Sequence, residues 1–313
     1  IVAQRLARFG INMLRLHSPD SRWGGLIDYS AGNSRSLDPD TLDRYDFFVA
    51  ELKKRGIYVY FDLLDYRDFK VGDGIPHADE FVRNWYHCAK GASFFDPTLI
   101  ELQKEYPTEL LTHRNPYTGN RYVDEPALAV QEITNENSLF YLANTDLTLP
   151  VYIEDLERLC NASLLERYGN RAGLAAAWTR GDLCALAADE DPAQSNVALP
   201  LKHMYADLRE VAFDAPNSPA RVNELTRFLM QVENEFFVDM TQHLRALGLK
   251  CPITGTNQDF SDASNAANAV CDFTSRNNYW RHPNVRAKPY MTFRDDAIVT
   301  SDVVMDASPI ANV

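Results

Sequence analysis

Short apolar segments alternate with longer amphipathic segments along much of the chain, and this alternation limits the fold more than any other feature. Five apolar segments have the length of strands, at residues 11–17, 57–64, 127–134, 251–257 and 269–280. Helical periodicity marks four further segments, at residues 1–9, 37–56, 96–114 and 221–248. Strands that alternate with helices predict parallel βα units, so two α/β architectures remain, an open doubly wound sheet and a (β/α)8 barrel.

Composition excludes several classes of partner. With 45% hydrophobic and 24% charged residues, the 313-residue chain resembles an ordinary globular protein. Its net charge of −13 argues against a nucleic acid partner, because phosphates would be repelled. No apolar run approaches the roughly 20 residues that cross a bilayer, so we expect no membrane partner. The five cysteines form no CxxC pair, which predicts neither a disulfide framework nor a zinc site.

Two segments weaken the regular pattern. A break is expected within the third predicted helix near Pro107, because proline cannot donate the helical hydrogen bond. Residues 145–220 are helical but weakly patterned, and we interpret them as an insertion within one partial domain spanning 1–313. Their acidic stretch, 188–191, is expected to be a solvated surface. No Gly-x-Gly-x-x-Gly and no P-loop follows a strand, so we expect no nucleotide cofactor.

Polar and aromatic side chains follow every predicted strand. In parallel α/β folds, functional groups gather at the carboxyl ends of the strands. These ends carry Arg15 and His17, then Asp62 and Asp65, then Asn135, Glu136 and Asn137, then Asn257, and finally Tyr279 and Trp280 with His282 close behind. The sequence therefore predicts a site at this edge of the sheet.

Alternation within the first strand indicates where its arginine points. Arg15 shares a face with His17, while Leu14 and Leu16 take the other face. If the leucines pack on helices, Arg15 points into the centre of the barrel and needs a carboxylate partner. Glu132, Glu136 and a residue outside this chain all remain candidates.

Taken together, "GINMLRLH", "RGIYVYFDLL", "NPYTGNRYVDEPALAVQEITNEN", "CPITGTN" and "NNYW" resemble clan A of the glycoside hydrolases, and the cellulase- and mannanase-like family 5 in particular. Family 42 β-galactosidases are a more distant match. The resemblance covers most of 1–145 and 221–285. It implies an incomplete (β/α)8 barrel in which this chain supplies strands two to six, with the first strand before Ile1 and the last two beyond Val313.

The resemblance also implies roles for individual residues. Glu136 corresponds to the general acid/base, and Asn135 to the residue that binds the sugar 2-hydroxyl. Arg15 and Tyr279 correspond to the side chains that hold the nucleophile. The nucleophile itself departs from the family pattern, because residues 281–313 contain no glutamate and Glu233 and Glu235 fall within a helix. The resemblance thus implies a retaining glycosidase whose nucleophile lies outside this chain, and an inactive fragment.

Several side chains in the loops after the strands are candidates for contact with an oligosaccharide or polysaccharide substrate. Aromatic rings can stack on the apolar faces of sugars. The predicted substrate-binding residues are His17, Asn137, Asn257, Trp280, His282, Trp23 and Tyr66. Large aromatics also anchor loops, and Asn135 is a common helix cap, so a structural role stays open for each.

Two other functions compete with glycoside hydrolysis. A degenerate barrel that binds carbohydrate without cleaving it would also lack the nucleophile. A metal-dependent hydrolase would need several His and Asp ligands at strand ends, and only His17 clearly qualifies, so no metal is expected. Which sugar is bound is not set by the strands, because loops select the substrate in this fold. The resemblance implies an extracellular or periplasmic protein.

Overall fold

The structure is a computed structural model that describes residues 1–83, 89–142, 149–198, 212–257 and 261–277. Residues Ile1–Ser275 form one compact unit, and Arg276 and Asn277 belong to a second. The helices are α1 Val2–Arg8, α2 Pro39–Lys53, α3 Ala78–Arg83, α4 Pro97–Thr112, α5 Leu139–Leu142, α6 Pro150–Tyr168, α7 Arg171–Ala177, α8 Pro219–Ala246 and α9 Asp262–Asn268. The strands are β1 Met13–Leu16, β2 Ile27–Asp28, β3 Ser36–Leu37, β4 Tyr58–Leu64, β5 Leu128–Thr134, β6 Thr179–Arg180, β7 Leu183–Cys184 and β8 Ile253–Thr256.

Four of these strands form a parallel sheet in the order β1-β4-β5-β8. Each strand pairs with the next one in the chain, apart from the short hairpins β2–β3 and β6–β7. Sequential order is that of a (β/α)8 barrel, whereas a doubly wound sheet reverses its order at a switch point. The predicted α/β fold is confirmed, and the described residues supply four strands of an incomplete barrel.

The hydrophobic core lies between the outer face of the sheet and its helices. Leu16, Val59, Phe61, Ile133 and Ile253 alternate along the four strands with inward-facing neighbours and are buried in this core. Residues from α2, α4 and α8 complete it, Leu52, Leu110 and Phe237 among them. Because the apolar side chains face outward, the inner face of the sheet is left for polar groups.

The three long helices that flank the sheet begin in the same way. A capping side chain accepts a backbone N–H, and proline occupies the first helical position, where its missing donor costs nothing. The caps are Asp38 for α2, Asp96 for α4 and Ser218 for α8. Among the described helices, none is long and apolar enough to cross a membrane.

Helix α4 continues through Pro107, so the predicted break there is wrong. Proline removes one hydrogen bond and costs about 3 kcal/mol inside a helix. Leu102, Tyr106, Leu110 and Leu111 are nevertheless buried on both sides of it. Burial of large side chains contributes roughly 1.5–3 kcal/mol each, which is enough to keep the helix intact.

The fifth predicted strand, 269–280, is wrong over the residues that are described. Residues 271–277 follow α9 and have no regular secondary structure, although the Asp272 N–H donates to the carbonyl of Ile253. Polar residues dominate the segment, and it lacks the apolar alternation that would bury one of its faces. Residues 278–280 lie outside the described part of the chain.

The segment predicted as an insertion has a small core of its own. Helices α6 and α7 and the β6–β7 hairpin bury Leu164, Leu174, Trp178 and Leu186 together. The acidic stretch 188–191 is not wholly solvated as expected, because Glu190 is buried in an ion pair with Arg221. That the segment is an insertion stays a prediction.

Candidate active site

The parallel register brings the carboxyl ends of the four strands to one edge of the sheet. Arg15 on β1 lies opposite Tyr60 on β4, and Asp62 lies opposite Glu132 on β5. Farther along, Thr134 lies opposite Thr256 on β8. The ends that the sequence marked as polar are therefore neighbours in space.

Arg15 points into the polar interior, as its alternation with Leu14 and Leu16 predicts. Its Nε donates to Asp62 Oδ1 at 2.8 Å, and its Nη2 donates to Glu132 Oε1 at 2.6 Å and to Asn135 Oδ1 at 2.8 Å. The guanidinium also lies over the Tyr60 ring, 5.1 Å from its centroid. Of the three candidate partners only Glu132 is among these contacts, and Asp62 was not among the candidates.

Glu132 is a fully buried carboxylate at the centre of this network. Besides Arg15, it accepts hydrogen bonds from the Tyr60 hydroxyl and from Asn257 Nδ2, the latter at 2.8 Å. Burial, followed by the neighbouring charge of Asp62, raises the pKa of Glu132 well above the usual carboxyl range. Glu132 therefore holds a proton more readily than an exposed glutamate does.

The amides of Asn135 and Asn257 are engaged within the protein. Asn135 donates to Asp65 Oδ1 at 2.6 Å, and its own Oδ1 accepts from Arg15 and Asn257. Both side chains are buried. The structure places them as supports beneath the strand ends, and their contact with a sugar stays a prediction.

Glu136 follows directly on this support and is partly buried. Its backbone N–H donates to Asn257 Oδ1 at 2.8 Å, and its φ is +42°, in the left-handed region. Asn137, the next residue, is buried. Its Nδ2 donates to Ser93 Oγ at 3.1 Å, and its Oδ1 accepts the Gly91 N–H at 3.0 Å. Asn137 thus ties the predicted acid to the loop at 89–94 in this structure, while its substrate contact stays a prediction.

His17 is half-exposed at the end of β1. Its Nδ1 lies 2.7 Å from Asp62 Oδ2 and 2.8 Å from Asp65 Oδ2. The hydrogen bonds to Asp62 and then Asp65 raise the pKa of His17 to about 10, so the ring is a cation at neutral pH. These three residues offer ligand atoms within 4.8 Å of one another, although a metal ion would first have to displace the imidazole proton.

Asp20 is a further buried carboxylate that the sequence analysis missed. It accepts the backbone N–H groups of Asp65, Tyr66 and Arg67, at 2.7, 3.1 and 2.9 Å. Burial, followed by the charge of Asp65, raises the pKa of Asp20 to about 7. Asp20 therefore fixes the loop that leaves β4, and a lone Asp after Pro19 gives no signal of this role.

Trp23 and Tyr66 form an aromatic pair beside the strand ends, with ring centroids 5.2 Å apart and planes tilted by 48°. Trp23 is 72% exposed, so its face is open to solvent. Lys90 Nζ lies 4.2 Å from the centroid of the Tyr66 ring. The pair is placed where a ligand could stack on Trp23. Three other predicted site residues, Tyr279, Trp280 and His282, lie outside the described residues.

Comparison with known proteins finds one curated relative at significant similarity. The chain is 29% identical over 133 residues to mannan endo-1,4-beta-mannosidase 1 of Oryza sativa subsp. japonica. The alignment covers 37% of this chain and 28% of that protein, so the chain spans well under a third of the curated relative it matches. No family profile matches the chain.

Solved structures align less closely. An endo-1,4-beta-mannanase from Rhizomucor miehei aligns with 53% of this chain and 48% of its own, at 20% identity and a TM-score of 0.34. A hyperthermostable endo-1,4-beta-D-mannanase from Thermotoga petrophila RKU-1 aligns with 94% of this chain and 88% of its own, at 15% identity and the same TM-score. Superpositions of this quality establish neither fold nor function. The curated match agrees with the predicted resemblance to mannanase-like enzymes, for the part of the chain that aligns.

Proposed function

We propose that the protein containing this chain is a retaining glycoside hydrolase that acts on a β-linked glycan, with Glu136 as its general acid/base. The supporting observation is the placement of Glu136 at the carboxyl edge of a parallel sheet, on a network that fixes its backbone through Asn257. We further propose β-mannan as the first substrate to test, because the curated relative is named as a mannan endo-1,4-beta-mannosidase.

Retaining hydrolysis needs two carboxyl groups about 5–5.5 Å apart. In the proposed mechanism Glu136 protonates the glycosidic oxygen while a nucleophilic carboxylate attacks the anomeric carbon and releases the leaving alcohol. Glu136 then removes a proton from water, which attacks the glycosyl-enzyme and restores the free nucleophile. We place that nucleophile in a Glu beyond Val313, because residues 281–313 contain no glutamate and Glu132 is fully buried.

The strand-end network supplies the support that such an acid requires. Asn135, Asn257 and Arg15 are linked by hydrogen bonds of 2.8 Å, which fix the backbone on which Glu136 is carried. His17 brings a positive charge near the same edge, suited to sugar hydroxyls. Trp23 offers an open aromatic face for a sugar ring.

The test compares this chain with a longer protein that continues it through a further strand ending in Glu. Substrates are aryl β-mannoside, β-glucoside and β-galactoside, with mannan and cellulose. We expect hydrolysis by the longer protein only. In it, Glu136→Gln should lower kcat/KM by roughly 10²–10⁴-fold with an unchanged melting temperature.

The matched control is Glu235→Gln, which neutralises an exposed glutamate on α8 and should leave activity unchanged. Full activity of Glu136→Gln would contradict the assignment of the acid.

A specific observation also supports the alternative of a non-catalytic barrel that binds carbohydrate, namely that Asp62, Asp65 and Glu132 are all buried. Sugar binding without hydrolysis by the longer protein would favour it.

A further inference from the structure

Glu233 is an acidic residue at a core position of α8. It follows Leu229 by four residues and precedes Phe236 and Phe237 by three and four, so it lies on the buried stripe of the helix. Its side chain is fully buried. A carboxylate at such a position costs free energy unless it is hydrogen-bonded, and packing alone would be served better by an apolar residue.

The Glu233 carboxylate reaches the segment that follows the proposed acid/base. Its Oε1 accepts from Ser138 Oγ at 2.7 Å and from the Leu139 N–H at 2.6 Å. Its Oε2 lies 3.5 Å from Ser264 Oγ on α9. One side chain thus joins α8, α9 and the first residues after Glu136.

The segment 136–139 is held at successive backbone donors. The N–H of Glu136 donates to Asn257 Oδ1 at 2.8 Å, and that of Asn137 lies 3.4 Å from Thr256 Oγ1. Leu139 is the next of these donors, and its acceptor is Glu233. Because Glu136 has a φ of +42°, its conformation must be imposed from both sides, and Glu233 is the anchor on the downstream side.

We propose that Glu233 is a positioning residue that orients Glu136 by holding Ser138 and Leu139. This inference rests on the proposed function, since it assigns Glu233 a part in delivering the acid. Glu233 itself does not reach the substrate. Its removal should therefore impair the protonation of the leaving group more than the attack on the anomeric carbon.

Leaving groups of different basicity separate these two effects. An aryl glycoside whose phenol has a low pKa departs with little protonation, whereas a poor leaving group depends on the general acid. In the longer protein, Glu233→Leu should lower kcat/KM by roughly 10²-fold for a poor leaving group and only a few-fold for a good one. A merely structural loss of folded enzyme would lower both equally.

Two variants control for the carboxylate itself. Glu233→Gln keeps an oxygen that can accept from both Ser138 and Leu139, so it should retain most activity on both substrates. Glu235→Gln neutralises an exposed neighbour on the same helix and should be silent. If Glu233→Leu does not fold, Ser138→Ala removes one of the two bonds and should give the same selectivity with a smaller amplitude.

Amide hydrogen exchange gives a readout that does not need activity. Glu233→Leu should speed exchange in a peptide covering residues 133–140, and Glu235→Gln should not. Equal losses on both leaving groups, or unchanged exchange, would overturn the role of Glu233 while leaving the proposed function intact. A wild-type protein that cleaves no glycoside would overturn the proposed function and, with it, the catalytic meaning of Glu233.

Discussion

Two arginines with buried carboxylate partners, Arg15 at the strand ends and Arg221 at the start of α8, show how differently one chain handles internal charge. Arg221 forms a bidentate pair with Glu190, with Nη1 to Oε1 at 2.8 Å, and donates its Nε to the Ala185 carbonyl at 2.9 Å. Arg15 instead contacts two carboxylates, Asp62 and Glu132. Arg221 and Glu190 thus form a closed pair, whereas Arg15 belongs to a larger acidic cluster.

Charge balance explains the difference. At the strand ends Asp20, Asp62, Asp65 and Glu132 are near three cations, Arg15, His17 and Lys90. Burial would raise the pKa of Glu190, but the hydrogen bonds from Arg221 and two backbone amides outweigh it and lower that pKa. For Glu132, burial and Asp62 prevail over Arg15 and the pKa is raised. An excess of carboxylates thus distinguishes the strand ends, which are proposed for acid–base chemistry. The Arg221–Glu190 region has balanced charges and a structural role.

The largest effect is expected from Arg15→Ala. The change leaves Glu132 and Asp62 buried without their shared cation, which should lower the free energy of unfolding by about 3–5 kcal/mol. Urea denaturation measures it. The matched control is Arg35→Ala, which breaks an exposed pair with Glu105 and should cost at most about 1 kcal/mol. Equal losses in the free energy of unfolding for Arg15→Ala and Arg35→Ala would contradict a special role of Arg15 in stability.

A double variant tests whether Arg221 and Glu190 form a pair that is independent of other charges. Arg221→Met alone should cost about 3 kcal/mol, because Glu190 then stays buried and unpaired. Adding Glu190→Gln should recover a large part of that loss. The equivalent pair at the strand ends, Arg15→Met with Glu132→Gln, should recover less, because Asp62 remains. Similar recovery at both places would contradict the difference in charge balance.

Opposite pH dependence is expected of the two regions. The pKa of Asp20, about 7, and that of Glu132 are raised in the folded protein, so the unfolded chain releases these protons first. Their contribution to stability therefore falls as pH rises from about 4 to 7 and beyond, by up to about 1.4 kcal/mol per pH unit for each group. The pKa of Glu190 is lowered, so its contribution is present above the usual carboxyl range and is lost as pH falls.

The sign is checked by urea denaturation across pH. Relative to wild type, Glu132→Gln should gain stability as pH rises from 5 to 9. The deficit of Glu190→Gln should shrink as pH falls toward 3. His17, with its pKa raised to about 10, adds a contribution that is present below about 6.5 and lost as pH rises through 10. If the stability of Glu132→Gln and of Glu190→Gln, each relative to wild type, changed in the same direction with pH, the predicted opposite pH dependence would be wrong.

The smallest effect on stability is expected from Trp23→Ala. The side chain is 72% exposed, so the free energy of unfolding should change by no more than about 0.5 kcal/mol. Binding of a mannooligosaccharide should weaken, and calorimetric titration measures the change. A large loss of stability with unchanged binding would make Trp23 a loop anchor and remove it from the proposed cleft.

Sequence reasoning recovered the parallel strands because each is an apolar run ended by polar residues. β1, β4, β5 and β8 lie within the predicted segments, with ends trimmed by a few residues. Helices α3, α5 and α9 were missed because four to seven residues show little of a helical period, and none of the three is followed by a glycine as the equally short α1 is by Gly10. Their stability comes from the burial of side chains such as Phe81, Phe140 and Ala267, which leaves little trace in a short sequence window.

For the site, the sequence predicted which strand ends would lie together but not which contacts hold their side chains. Arg15, Asn135 and Glu136 were placed by alternation and by strand ends, which are local patterns. Asp20 acts on backbone amides 45 to 47 residues away, a relation without sequence periodicity. Glu233 could have been noticed in the sequence, because it places a charge on the apolar stripe of α8. A glutamate in a helix is, however, usually interpreted as a surface residue.

The left-handed backbone of Glu136 has a consequence for protein engineering. A side chain with a Cβ in this conformation costs about 1 kcal/mol, and glycine or asparagine would hold it with less strain. A programme that selects only for thermal stability would therefore favour Glu136→Asn among its early changes. If Glu136 is the acid, that change would improve the fold and remove the chemistry, so position 136 should be fixed before any such redesign begins.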